Sequence, residues 1–155
     1  EQADIFLEPL LRGLAKSGRT LADIDVQVGG SLEIDDDVER LIEARRPAMA
    51  FTLGGMGSAK TNFYNDAFKR AGYAEAAEEV QALWVSGDKE AAIRAVPDEM
   101  VLKTNLIGTR EMIVERIKAY AAAGVTTLRI STSGQNWRER TETLAEATDL
   151  IHSIQ

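Results

Sequence analysis

The sequence predicts an α/β protein with parallel strands. Two stretches, 26–34 and 125–131, alternate apolar and polar residues with a period of two, which marks strands. Segments of helical period surround them, and glycine and proline punctuate the joins. Strands that alternate with helices make parallel sheets. A complete eightfold barrel takes about 250 residues. The chain has 155, so its two or three strands fit the tail of such a barrel.

Residues 4–16 form an amphipathic helix, with Ile5, Leu7, Leu11, Leu14 and Ala15 apolar and Pro9 expected in the first turn. Gly18 is its left-handed stop, and residues 20–23 make a connecting turn. In the first strand Val26, Val28, Gly30, Leu32 and Ile34 share one face; Gln27, Gly29, Ser31 and Glu33 share the other. Asp35, Asp36 and Asp37 open a helix as capping and dipole-matching residues. The alternative, a metal site, needs further oxygen ligands. Pro47 should end that helix near Arg46, leaving 48–53 as an apolar run of helix or strand.

Thr61 or Asn62 caps a helix through Arg70, which Gly72 ends. A further helix, 74–85, buries Ala77, Val80, Leu83 and Trp84. Gly87 and Asp88 break it, and 89–96 forms another before Pro97. Residues 98–106 connect or make a short helix. Thr109 caps a helix over 110–123 with Met112, Ile113, Ile117 and Tyr120 on its core face, and Gly124 lies past its end. The second strand follows. A last helix, 137–154, carries Leu144, Ala147 and Ile151 at helical spacing.

Composition bounds the function. Hydrophobic content of 45% and charged content of 28% are those of a globular protein. A net charge of -7 argues against nucleic acid as a partner. No apolar run reaches membrane-spanning length, and a cytoplasmic location is expected. Without cysteine, disulfides and thiolate metal sites are excluded. One histidine, His152, leaves no His-based triad or His-rich metal site. The chain opens Glu1-Gln-Ala-Asp with neither an initiator Met nor a signal-peptide pattern. It is expected to be a piece of a longer protein.

The most unusual stretch is 54–66, Gly-Gly-Met-Gly-Ser-Ala-Lys-Thr-Asn-Phe-Tyr-Asn-Asp. A phosphate loop wants G-x-x-x-x-G-K-[ST], whose amides wrap the phosphates. Residues 54–61 match the first Gly, the Lys and the Thr, but Ala59 replaces the Gly before Lys60. The later strand also ends without an Asp for magnesium. A nucleotide-triphosphatase reading therefore fails on its own mechanics.

The pattern L-G-G-M-G-S-A-K-T-N-F-Y-N-D-A-F-K-R-A-G-Y over 53–73 resembles the luciferase-like monooxygenase family, closest to its branch using the deazaflavin coenzyme F-420. Supporting stretches are V-Q-A-L-W-V-S-G-D (80–88), V-P-D-E-M-V (96–101) and L-I-G-T-R-E-M-I-V-E-R-I-K-A-Y-A-A-A-G-V-T-T-L-R-I (106–130). The resemblance implies an α/β fold, the C-terminal part of a (β/α)8 TIM barrel. It implies the sixth helix, the seventh strand, an insertion at about 47–105, and the eighth strand and helix. The remaining N-terminal half of the barrel, with most cofactor contacts, is then the missing partner.

The parent would be an F-420-dependent oxidoreductase moving a hydride between deazaflavin and an organic small-molecule substrate, and the fragment alone would be inactive. A variant uses FMN and oxygen. The reading from another class is a non-catalytic helical binding module, against which two orphan strands argue, since bare edges invite pairing. A homo-oligomer is compatible with either.

Barrel sites lie at the carboxyl ends of the strands. Gln27, Gly29, Ser31, Glu33, Thr127, Arg129 and Ser131 would point inward. Arg129 pairs with Glu33 or contacts an anion or substrate. Lys60 is a surface lysine or binds a phosphate or carboxylate of a cofactor tail or substrate. Gly54, Gly55 and Gly57 allow an unusual backbone path near a ligand. Asn62 binds ligand or, with Asn65, caps a turn. Phe63, Tyr64, Trp84 and Trp137 read as packing residues, with Phe63 and Tyr64 also able to line a pocket.

Overall fold

The structure is a computed structural model, and it describes residues 3–58, 60–132 and 134–154. These divide into two compact units, one of 1–38 with 105–155 and one of 39–104.

In the first unit, helix α1 (Ala3–Ala15) leads through a 3-10 turn (Leu21–Asp23) to strand β1 (Gln27–Ile34). The turn is held by a capping box between Thr20 and Asp23. α1 starts early enough that Pro9 lies beyond the first turn, inside the helix. Pro9 is exposed, and inside the helix it forgoes one backbone bond. Gly18 takes the left-handed conformation at φ 66, as expected of a helix stop. Strand β2 (Leu106–Gly108), helix α7 (Arg110–Ala122), strand β3 (Thr127–Thr132) and helix α8 (Trp137–His152) complete the unit.

The three strands are parallel in the order β2-β1-β3. The register pairs Gln27 with Thr127, Gly29 with Arg129 and Ser31 with Ser131 across β1 and β3. On the other side Glu33 faces Ile107 of β2. One face of this sheet is a core. Leu32, Leu106, Ile113, Ala147 and Leu150 are buried together, with Ile34, Leu128 and Ile130 packed against them. The apolar face of β1 and β3 thus lies under α7 and α8, and the polar alternates take the opposite face.

The segment 98–106, expected to connect or make a short helix, does form the short helix Asp98–Thr104, and β2, the third strand, starts at its last residue. β2 has only three residues, all buried, too few to display a period of two. Thr109 caps α7, its hydroxyl accepting the Met112 N–H at 3.4 Å. On α8 the buried residues are Ala147 and Leu150. Leu144, expected beside them, is 51% exposed. Trp137, expected in packing, is 82% exposed. It lies 13 residues before Leu150, about 220° around a helix of 3.6 residues per turn, so it faces away from the core.

The second unit holds the rest of α2 (Val38–Gly54), then α3 (Phe63–Phe68), α4 (Ala74–Ser86), α5 (Lys89–Arg94) and α6 (Asp98–Thr104). Pro47 does not end the helix; α2 runs through it, and 48–53 is helical. A proline inside a helix costs about 3 kcal/mol. Leu41 and Ile42 before it, and Met49 and Leu53 after it, are all buried. Each such side chain contributes about 1.5–3 kcal/mol, so burial on both sides outweighs the broken bond. Arg46 also anchors the helix. Its guanidinium bonds Glu43 at 2.7 Å, the Val96 carbonyl and Asp98. The insertion expected at about 47–105 therefore has its compact unit starting at residue 39.

Gly72, at φ 93, kinks the chain between α3 and α4. Gly87 closes α4 in the left-handed conformation, and Asp88 caps α5 by accepting the Ala91 N–H at 3.0 Å.

Candidate functional site

The glycine-rich segment follows the last turn of α2. Gly54 is buried, and a Cβ there would lie 2.3 Å from Cβ of Trp84. Its missing side chain lets α2 and α4 approach. A Cβ on Gly55 would lie 2.6 Å from the Phe51 ring. Gly57 combines φ 115 with a Cβ position 2.4 Å from the Thr61 carbonyl oxygen, so only glycine closes this turn. Trp84 packs edge-to-face on Phe51 with centroids 5.8 Å apart, and Nζ of Lys89 sits 5.2 Å over its ring.

Among the described residues of this loop, the backbone N–H groups of Gly55 through Ser58, Lys60 and Thr61 are engaged internally. The N–H groups of Gly55 and Met56 donate to the Phe51 carbonyl at 2.6 and 3.1 Å. That of Gly57 donates to Gly55, and Ser58 and Thr61 exchange N–H and carbonyl bonds at 3.1 and 3.2 Å. The Ser58 hydroxyl accepts the N–H of Lys60 at 3.2 Å. A phosphate cradle needs such amides free, and these are taken up by the turn itself. Ala59 lies outside the described residues. The Lys60 side chain is exposed at the turn's tip.

Asn62 is the helix cap of α3. Its Oδ1 accepts the Asn65 N–H at 3.1 Å, and its Nδ2 donates to the carbonyls of Thr52 and Leu53 at 3.2 and 2.9 Å. The side chain of Asn65 donates to Leu53 and Ala77 at 2.9 and 2.7 Å. The two asparagines, spaced i and i+3, take the inward face, 3% and 1% exposed. Phe63 and Tyr64 project outward instead of joining the core, at 73% and 45% exposure. They form an edge-to-face pair with centroids 5.8 Å apart. Asn65 as a buried tie between α2 and α4 has no signal in the sequence beyond its spacing from Asn62.

The second candidate surface is the polar face of the sheet. Gln27, Gly29, Arg129 and Ser131 are exposed there. The expected pairing of Arg129 with Glu33 does not fit the register. Arg129 stands opposite Gly29, and Glu33 is four residues further along β1, about 13 Å at 3.3 Å per residue. Nε of Arg129 lies 3.1 Å from where a Gly29 Cβ would be.

At the amino end of the sheet, Asp25 accepts hydrogen bonds from Thr126, from Thr127 at 2.7 Å and from Gln27 at 2.6 Å. These bonds, Thr126 first, hold its carboxyl below the usual range. Only the adjoining Thr126 and Thr127 hint at this cluster in the sequence. Asp35 turns the chain into α2: its carboxylate accepts the Asp37 N–H at 2.8 Å. Among the described residues no group of three or more His, Asp or Glu is placed to hold a metal ion. No helix among them is long and apolar enough to cross a membrane.

Parallel strands with helices over one face and a polar opposite face fit a sector of an α/β barrel. The chain belongs to the luciferase-like monooxygenase family, whose profile matches residues 1–127. A Mycobacterium tuberculosis protein named as a coenzyme F-420-dependent oxidoreductase is 31% identical over 131 residues, covering 83% of this chain and 38% of that protein. The 5,10-methylenetetrahydromethanopterin reductase of Archaeoglobus fulgidus is 27% identical over 123 residues, covering 79% and 36%. The solved structure of the coenzyme F-420-dependent tetrahydromethanopterin reductase of Methanopyrus kandleri aligns with a TM-score of 0.68 at 23% identity. It covers 100% of this chain and 43% of that one, and it identifies the fold as part of a TIM barrel. The chain thus spans well under half the length of the relatives it matches.

Proposed function

We propose that the full-length protein carrying this chain is a coenzyme F-420-dependent oxidoreductase, moving a hydride between deazaflavin and an organic substrate. The observation that carries this reading is the coenzyme named for relatives found in two ways, by sequence and by structure. When bound, the deazaflavin supplies the hydride chemistry, and the protein supplies orientation and electrostatics.

This chain would contribute surfaces more than chemistry. Lys60 offers an exposed ammonium to a phosphate or carboxylate of the coenzyme tail or substrate, from a turn that Gly54, Gly55 and Gly57 shape and Asn62 anchors. Arg129 offers a guanidinium on the polar sheet face, with Glu33 toward the carboxyl end of β1. Exposed cations on a chain of net charge -7 fit an anionic ligand. The chain alone would not turn over, because most of the coenzyme site would come from the other part of the barrel. That part and a small-molecule substrate are the partners this reading requires, in the cytoplasm. A flavin mononucleotide- and oxygen-using enzyme is the second reading, favoured by the monooxygenase description of the family.

Equilibrium titration of the full-length protein with both coenzymes tests the choice. Tighter binding of deazaflavin is expected; tighter binding of flavin mononucleotide would replace this reading with the second. Lys60→Ala should weaken the tighter ligand several-fold, as loss of one exposed charge contact (about 1 kcal/mol) implies. Unchanged affinity for coenzyme and substrate would return Lys60 to the ordinary surface.

A further inference from the structure

Two adjacent glycines in β1 behave differently. Neither has a positive φ, so the backbone requires glycine at neither. A Cβ on Gly30 would meet only the Leu106 nitrogen at 3.9 Å, an ordinary contact. A Cβ on Gly29 would meet Arg129 three times: Nε at 3.1 Å, the carbonyl oxygen at 3.2 Å and Cβ at 3.4 Å. Glycine weakens a strand interior and often marks a place where something approaches closely. At Gly29 that something is the Arg129 side chain, lying across the middle strand.

Arg129 is exposed on the face away from α7 and α8. No ion pair or side-chain hydrogen bond holds its guanidinium among the described residues. The nearby acids on this sheet are accounted for. Asp25 is engaged by Thr126, Thr127 and Gln27, and Glu33 lies four residues along from Arg129's register partner. One register step toward the carboxyl ends on this face stands a hydroxyl pair, Ser31 opposite Ser131. It lies about 7 Å further at two strand residues, within an arginine's reach. Carboxyl ends are where barrel ligands bind.

We propose that Arg129, held across Gly29 and backed by the hydroxyls of Ser31 and Ser131, is a receptor for an anionic ligand group, a carboxylate or phosphate. Gly29 is its positioning residue. Where the other part of the barrel covers this face, the guanidinium requires a counter-charge, and its planar fork matches carboxylate and phosphate oxygens. The hydroxyls donate to the oxygens that the fork leaves free. The anion belongs either to the coenzyme or to the substrate. The inference rests on the proposed function only for the identity of that ligand.

The test uses the full-length protein and its Arg129→Gln, Arg129→Lys, Gly29→Ala and Gly30→Ala variants. Inorganic phosphate is the first probe, read as the rise in melting temperature over chloride at equal ionic strength. The wild type and Gly30→Ala should be stabilised, Arg129→Gln should not, and Arg129→Lys should recover part of the effect. Gly29→Ala should reduce the phosphate increment without abolishing it, because its methyl would meet Nε at 3.1 Å and push the guanidinium aside by a few tenths of an ångström. A purely structural role for Gly29 would lower the melting temperature and leave the phosphate increment intact. The second probe is deazaflavin. A loss of about tenfold or more in its affinity in Arg129→Gln, the scale of a hydrogen bond to a charged group, assigns the anion to the coenzyme. A phosphate effect that persists with coenzyme bound assigns it to the substrate. Identical phosphate responses in the wild type and Arg129→Gln would overturn the site. Failure of the wild type to bind deazaflavin would overturn the proposed function alone, since the phosphate response is read without it.

Discussion

Replacing Asn65 by aspartate exchanges one amide for one oxygen, yet it should destabilise the insertion unit more than truncation to alanine. Asn65 is 1% exposed. Its Nδ2 donates to the Leu53 and Ala77 carbonyls at 2.9 and 2.7 Å. An aspartate of the same shape would point an oxygen at two carbonyl oxygens. Ionised, it would be a buried unpaired charge, so it takes up a proton. Keeping a carboxyl protonated at pH 7 against an ordinary value of about 3.9 costs about 4 kcal/mol, at 1.36 per pH unit. One proton serves one carbonyl, so one bond is lost as well, about 1 kcal/mol.

The expected penalty for Asn65→Asp is therefore about 5 kcal/mol at pH 7, falling to about 1 kcal/mol near pH 4. The sign follows from the raised folded-state value: the unfolded chain releases the proton first, so the penalty grows as pH rises through the unfolded value. Asn65→Ala loses both bonds but also removes Oδ1, a buried acceptor without a hydrogen-bond partner. Leu53 keeps its bond from Asn62 at 2.9 Å. Its penalty should be about 2 kcal/mol and flat with pH. The assay is urea unfolding followed by tryptophan fluorescence at pH 4.5 and 7. Trp84 dominates the change, because Trp137 is 82% exposed already. Asn65→Asp within about 1 kcal/mol of the wild type at pH 7, or a penalty that does not shrink on acidification, would refute the buried tie.

Gly54→Ala should destabilise by about 1–3 kcal/mol through overpacking, since its Cβ would meet Trp84 at 2.3 Å; thermal unfolding reads this. Thr109→Ala removes the α7 cap and should cost about 1 kcal/mol, measured by urea midpoint. Asp25 has a folded-state value below its unfolded one, caused first by the Thr126 hydrogen bond. Its contribution is present above the unfolded value and disappears as pH falls through the folded one. Asp25→Asn should lack that component of the acid transition in a pH series of melting temperatures.

The strands and most helix ends were legible because each has a local cause. The alternation over 26–34 is β1 with one residue to spare at its start, Thr109 and Asn62 cap as their residue types dictate, and Asp88, expected only as a break, caps α5. What was not legible depends on tertiary contact. Pro47 reads as a stop until Leu41 and Leu53 are seen buried on either side of it. β2 is a strand only because β1 lies beside it. The polar face of the sheet, with Arg129 opposite Gly29, follows from period two once the helices are known to cover the other face. In the glycine loop the unusual backbone path is legible at Gly57, but the contacts behind it are not: Gly54 answers Trp84 and Gly57 answers Thr61, neither of which any local pattern announces. The aromatic pair Phe63 and Tyr64 faces outward because two asparagines hold the inner positions.

The most direct measurement is native mass spectrometry of the full-length protein made in a host that supplies both coenzymes. Deazaflavin-dependent hydride transfer requires the protein to retain deazaflavin, seen as a bound mass that collisional activation releases as the coenzyme. Retention of flavin mononucleotide with no bound deazaflavin would contradict it.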